Sequence, residues 1–373
     1  MKSFDKLQAQ SRDEASMSAQ SRDDASLQAK WRDNASMQTQ WHGNAFMQAL
    51  YGKLSPYVPV WFMRQAGRYQ AWYRTLREKH SFAELCQRPE LSAHITIEAV
   101  KDIHADAAII FSDILLILEA MGAELNYVEG RGPVLGAVRN EAELGKIRDF
   151  EPESLGYVYE AERIVRQNAS DIPLIGFAGA PFTLAAYLIE GGASRDFRAT
   201  KTIMYSQPVF WQELMSKLSH AVKAYLHCQA EAGVQALQLF DTWAGVLSPA
   251  DYRQYVLPYA KPLADDIPVP LIYFAKGVSG YIEIAAEVGD VLSLDHGISL
   301  GKARDILGTK PVQGNLEPML LLADFEIVKQ RAISILEGNR GRAGFIFNLG
   351  HGILPCTNAD NVRRLADFVR EHK

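Results

Sequence analysis

A parallel (β/α)8 barrel in one domain is the fold this sequence predicts, and three observations predict it. Eight short apolar runs, each the length of one buried strand, recur between residues 58 and 347. Segments with helical periodicity separate them, the alternation of a parallel sheet crossed by helices. The runner-up, a doubly wound open sheet, normally carries a glycine-rich phosphate turn after its first strand, and none follows residue 63.

Taken in order, the chain begins with a decapeptide repeat. Ser11-Arg12-Asp13-Glu14-Ala15-Ser16-Met17 returns as Ser21-Arg22-Asp23-Asp24-Ala25-Ser26-Leu27, again from Trp31, and in weaker form from Trp41. A ten-residue period drifts against the helical turn, and each unit supplies too few apolar residues for a solenoid core. Residues 1–42 therefore read as a repetitive polar extension, disordered or loosely helical, and 43–373 as the barrel. The first run, 58–63, ends at Arg64, turns at Gly67 and presents Arg68. Two guanidinium groups on one turn suit carboxylate or phosphate, although both could simply pair with surface acids. Further runs follow at 106–111, 174–177, 236–240, 269–274, 291–294, 312–314 and 345–347, with helices expected at 82–103, 157–167, 208–232, 281–288 and 326–337. Their C-terminal ends carry Asp113, Thr183, Asp241, Thr242, Lys276, Asp295, His296, Asn315 and His351. A barrel gathers those positions at one mouth.

Composition narrows the function. A net charge of -5 gives no general attraction to nucleic acid or anionic membrane, so positive charge for an anionic ligand must be local. No apolar run reaches membrane-spanning length. Cys86, Cys228 and Cys356 are widely spaced and show no metal-ligand pattern, which suggests reduced thiols and a cytoplasmic setting. A secretory apolar core is missing from the N-terminal stretch, and its acidic residues argue against a transit peptide.

The motifs add a resemblance. Pro59-Val60-Trp61-Phe62-Met63-Arg64-Gln65-Ala66-Gly67-Arg68-Tyr69 and Ile175-Gly176-Phe177-Ala178-Gly179-Ala180-Pro181-Phe182-Thr183-Leu184 resemble signatures of the uroporphyrinogen decarboxylase family. Phe111-Ser112-Asp113-Ile114, Leu239-Phe240-Asp241-Thr242-Trp243, Gln313-Gly314-Asn315-Leu316 and Asn348-Leu349-Gly350-His351-Gly352 extend the likeness in family order. The resemblance implies a cofactor-free, metal-free barrel enzyme of haem biosynthesis, usually a homodimer, that turns the four acetate groups of uroporphyrinogen III into methyl groups to give coproporphyrinogen III. It also implies site residues. Arg64, Arg68 and Arg77 would hold peripheral carboxylates, Gln65, Ala66 and Gly67 would also bind substrate, and Arg64 and Arg68 are counted as catalytic too. Asp113 would accept the central pyrrole N–H bonds and stabilise positive charge on the ring. Tyr187 would orient the substrate, or pack as a helix aromatic. Thr242 would contact a carboxylate, or cap the next helix. His351, between two glycines that suit close ligand approach, would meet a substrate carboxylate.

Arginine is a poor acid at neutral pH, so the proton donor stays open among Arg64, Arg68, a bound water and the substrate's own acids. Gln70-Ala71-Trp72 departs from the family pattern, from which a looser turn is expected. Two other readings compete: a corrinoid- or zinc-dependent methyltransferase, which needs thiolate and imidazole ligands close together, and a non-catalytic tetrapyrrole carrier, which does not need Asp113.

Overall fold

The computed structural model describes residues 41, 43–128, 130 and 132–372. The chain divides after Asn44. Of the extension expected over residues 1–42, only Trp41 is among the described residues, and it is buried. The three full copies of the repeat lie outside them.

From Ala45 onward the architecture is a curled parallel sheet wrapped by helices. Its strands are β1 (Ala108–Ile109), β4 (Leu174–Gly179), β5 (Ala236–Asp241), β6 (Leu271–Ala275), β7 (Val291–Ser293), β8 (Val312–Leu316) and β9 (Phe345–Leu349), hydrogen-bonded in that order. Strands β4, β6, β8 and β9 are buried along their whole length, which is why they read as unbroken apolar runs. A short antiparallel hairpin, β2 (Leu125–Val128) with β3 (Gly132–Leu135), stands apart from the sheet. Nothing in the sequence reading anticipated it.

The run 58–63 closes the ring, but through very few bonds. Val60 bridges Phe347 of β9 in parallel, with Phe347 N–H donating to the Pro59 carbonyl at 2.9 Å. On the other side Asp106 N–H donates to the Val60 carbonyl at 2.8 Å. The ladder stops there for a physical reason. Pro59 has no N–H to give, and the Val60 N–H is taken at 2.8 Å by the Asp106 carboxylate. Inside the barrel Trp61 Nε1 donates to Gln313 Oε1 at 2.8 Å, and Gln313 Nε2 donates to Ser293 Oγ at 2.9 Å. This buried polar layer ties the closing run to β8 and β7.

The helices follow the expected segments with local corrections. The segment 82–103 is two helices, Phe82–Gln87 and Pro89–Ile103. Ser81 and Glu84 form a reciprocal capping box on the first, and Pro89 opens the second, where a missing N–H costs nothing. The segment 281–288 contracts to Ile282–Ala285. Gly156–Asn168, Pro208–Glu231 and Phe325–Asn339 agree with expectation to within a residue or two. The turn at Gln70 and Trp72 is not loose: both side chains donate to Asp102 Oδ2, at 2.8 and 3.1 Å.

Candidate active site

A cavity of about 340 Å³ opens at the C-terminal ends of the strands. Arg64, Gln65 and Ala66 reach it from the closing run, Asp113 from the loop after β1, Thr242 from the loop after β5, and His351 and Gly352 from the loop after β9. The remaining wall is apolar and largely aromatic, with Tyr73, Phe82, Phe111, Phe177, Phe240 and Phe274. Phe177, Phe240, Phe274 and His351 form an edge-to-face ladder across β4, β5, β6 and β9, at centroid distances of 5.5, 6.0 and 6.1 Å.

Asp113 is the acid of this cavity. Its Oδ1 accepts the Leu115 N–H at 2.8 Å. It is surrounded by protein while keeping surface open to the cavity. Burial raises its pKa. The Leu115 N–H, Tyr127 and the Arg64 charge pull it down, and Glu119 pushes it up.

Arg64 faces that carboxylate from a left-handed backbone, φ 61°. Its stem lies against Gly352: a Cβ built there would stand 2.4 Å from Arg64 Cδ and 2.7 Å from Cγ. Gly350 is equally constrained, since a Cβ would meet the His296 nitrogen at 2.4 Å. The glycines flanking His351 thus make room for protein, not for ligand. Burial first, then Arg64, Lys276 and His296, pushes His351 down to about 4. The ring is therefore neutral near pH 7. Its Nδ1 accepts the Gly352 N–H at 2.7 Å, which leaves Nε2 as the donor.

Beneath Thr242 runs a buried hydroxyl chain. Thr183 Oγ1 and the Tyr273 hydroxyl each donate to Asp241 at 2.7 Å, and the Tyr252 and Tyr273 hydroxyls pair at 2.8 Å. Burial raises the Asp241 pKa to about 6 against these hydrogen bonds. Thr242 does not cap a helix. The next turn, Ala244–Val246, has no side-chain cap, and Ser248 caps Pro249–Tyr255.

Of the residues expected in the site, Arg64, Gln65, Ala66, Asp113, Thr242 and His351 share the cavity wall. Gln65 spends its amide on the backbone, accepting from Phe62 N–H at 3.3 Å and donating to the Ala107 carbonyl at 3.2 Å. Gly67, Arg68, Arg77 and Tyr187 lie outside the wall. The space beside Gly67 is filled by the Tyr69 ring. Arg68 is exposed, and it and Arg77 act on the wall residue Tyr73 by charge. Arg77 donates to the His80 carbonyl at 2.7 Å and sits over the Phe82 ring. Tyr187 packs against Trp243 at 3.9 Å and feels the charges of Asp113 and Arg64. His296 pairs with Glu317 at 2.7 Å. The sequence reading missed the aromatic wall and Tyr127. A phenylalanine near the C-terminal end of successive runs (Phe111, Phe177, Phe240, Phe274) was the signal for the wall.

A family model described as Uroporphyrinogen decarboxylase (URO-D) matches residues 42–372. A uroporphyrinogen decarboxylase of Thermus thermophilus is 48% identical over 329 residues, covering 87% of this chain and 96% of that relative. The same-named protein of a Roseiflexus species is 48% identical over 327 residues, covering 84% and 94%. Among solved structures, a methyltransferase from Methanosarcina mazei superposes with a TM-score of 0.72 at 22% identity, covering 88% of this chain and 98% of that one. That likeness is one of fold alone.

Proposed function

The chain belongs to the uroporphyrinogen decarboxylase family and is a carboxy-lyase, and from that premise we propose how its barrel mouth removes the four acetate carboxyls of uroporphyrinogen to give coproporphyrinogen. The substrate is a ring of pyrrole N–H donors edged by eight carboxylates. Asp113 accepts N–H bonds at the centre and stabilises positive charge on the ring. Arg64, His351 through Nε2–H and Thr242 hold peripheral carboxylates at the wall. Arg68, Arg77 and Tyr187 meet those that extend past it, with the backbone of residues 65–67 between them.

Protonation of a pyrrole at its α-carbon turns the ring into the electron sink. The acetate C–C bond then breaks, carbon dioxide leaves, and its electron pair flows into the ring. The exocyclic methylene takes a proton to become methyl as the α-carbon returns its own, so each step consumes one proton. No organic cofactor enters this scheme. The family likeness also supports a cytoplasmic homodimer. No helix of the described residues is long and apolar enough to cross a membrane.

The observation that carries the reading is the shared cavity: Arg64, Asp113, Thr242 and His351 come from four separate strand ends and line one aromatic-walled space. Anaerobic incubation of the purified protein with uroporphyrinogen, followed by separation of products, tests it. Stepwise appearance of hepta-, hexa-, penta- and tetracarboxylate species without added cofactor is expected. Binding without loss of carboxyl groups would instead identify a tetrapyrrole carrier.

A further inference from the structure

The β2–β3 hairpin brings one polar group to the catalytic wall that the scheme above does not use. Residues alternate along β2, so Leu125 and Tyr127 are partly buried while Asn126 and Val128 are exposed. The Tyr127 ring meets Phe82 edge to face at 5.0 Å, and Phe82 lines the cavity. The hydroxyl is buried and has no hydrogen-bond partner among the described residues. A phenylalanine would pack the same way and avoid leaving a polar atom unmatched.

The hydroxyl is the group of β2 that interacts with Asp113. Each group acts on the other: the carboxylate raises the phenol's pKa, and the phenol lowers that of the acid. Among the described residues the pair does not meet strict hydrogen-bond geometry. A carboxylate has about four lone-pair directions. Leu115 N–H takes one, a phenol O–H could take a second, and two would remain for N–H donors in the cavity.

We propose that Tyr127 is a positioning residue for Asp113, its O–H donating to the carboxylate when substrate fills the cavity and fixing the plane that meets the pyrrole N–H groups. This rests on the reading of Asp113 as the central acceptor. The groups facing Asp113 are few. Leu115 N–H precedes the helix Leu116–Ala120, which carries Glu119. Arg64 comes from the closing run, Cys86 from the helix Phe82–Gln87 and Tyr187 from the helix Pro181–Glu190. Leu115, Tyr127 and Arg64 favour the ionised acid, and Glu119 and burial oppose it. Cys86 and Tyr187 are neutral at working pH, both having raised pKa values. Losing the phenol O–H removes one of three supports, so Asp113 becomes harder to ionise.

Tyr127→Phe tests this, because it deletes one oxygen and keeps the ring on Phe82. Profiles of kcat and kcat/KM against pH are measured for the parent, Tyr127→Phe and Asp113→Asn, with thermal midpoints. Tyr127→Phe is expected to move the acid limb of kcat, which reports the substrate complex, to higher pH and to lower kcat roughly three- to tenfold with KM nearly unchanged. Its thermal midpoint should not fall. Superimposable profiles and an unchanged kcat, alongside an inactive Asp113→Asn, overturn the role of Tyr127 and leave that of Asp113 intact. An active Asp113→Asn overturns both.

Discussion

At Gly352 one methyl group decides where Arg64 points. An alanine Cβ would stand 2.4 Å from Arg64 Cδ. The obstructing atoms belong to a flexible side chain and not to backbone, so the fold can yield by swinging the guanidinium away. Gly352→Ala should therefore lower kcat/KM about tenfold or more while the thermal midpoint stays within about 2 °C. Steady-state kinetics beside a melting curve reads both, and an unaffected kcat/KM contradicts the packing argument. Asp241 makes the opposite kind of prediction, one of stability. Its folded pKa is about 6 against an ordinary 3.8, so the folded state holds its proton more tightly than the unfolded one. The associated stability is complete below about pH 4 and is lost as pH rises through 6, about 3 kcal/mol in all. Urea unfolding at pH 4 and pH 7 should show Asp241→Asn without that part of the slope; equal slopes for the two proteins would contradict it.

Among the elements, the closing run is held by unusually few bonds, and Asp106 supplies the critical one. Its carboxylate accepts the Val60 N–H at 2.8 Å and the Tyr57 hydroxyl at 2.9 Å. Asp106→Ala leaves the Val60 N–H unmatched beside a fully buried side chain, which should cost about 2 kcal/mol in a urea titration. No change would mean that the backbone bonds of Val60 and Phe347 close the ring without the Asp106 carboxylate. The strands themselves were legible in the sequence because both faces are covered, which forces unbroken apolar runs. The sparse pairing of residues 58–63 was not, since it depends on an aspartate forty-six positions away occupying a backbone donor. The hairpin escaped for another reason. Leu125-Asn126-Tyr127-Val128 is short and only half apolar, so it reads as loop, although its aromatic ring becomes part of the site's second layer.

For the whole molecule, closure of the barrel turns distant residues into neighbours, and this is why much of the site was legible in the sequence. Arg64, Asp113, Thr242 and His351 each follow an apolar run, and circular order alone brings them together. Their roles were less legible. The glycines beside His351 suggested ligand approach, whereas they accommodate the Arg64 stem and the His296 backbone, contacts that span the ring. The family match starts at residue 42, so the repeat upstream is predicted to be dispensable for catalysis. Deleting residues 2–40 should leave turnover unchanged and the thermal midpoint within about 2 °C, whereas a large loss of either would give the repeat a structural role. The central claim is that one carboxylate, with the Arg64 guanidinium on the same aromatic-walled cavity, lets the macrocycle act as its own electron sink. The rate of carbon dioxide release from uroporphyrinogen by Asp113→Asn, set against the parent under anaerobic conditions, measures it directly. A fall of about a thousandfold or more with substrate still bound is expected, and turnover near the parent's would contradict the account.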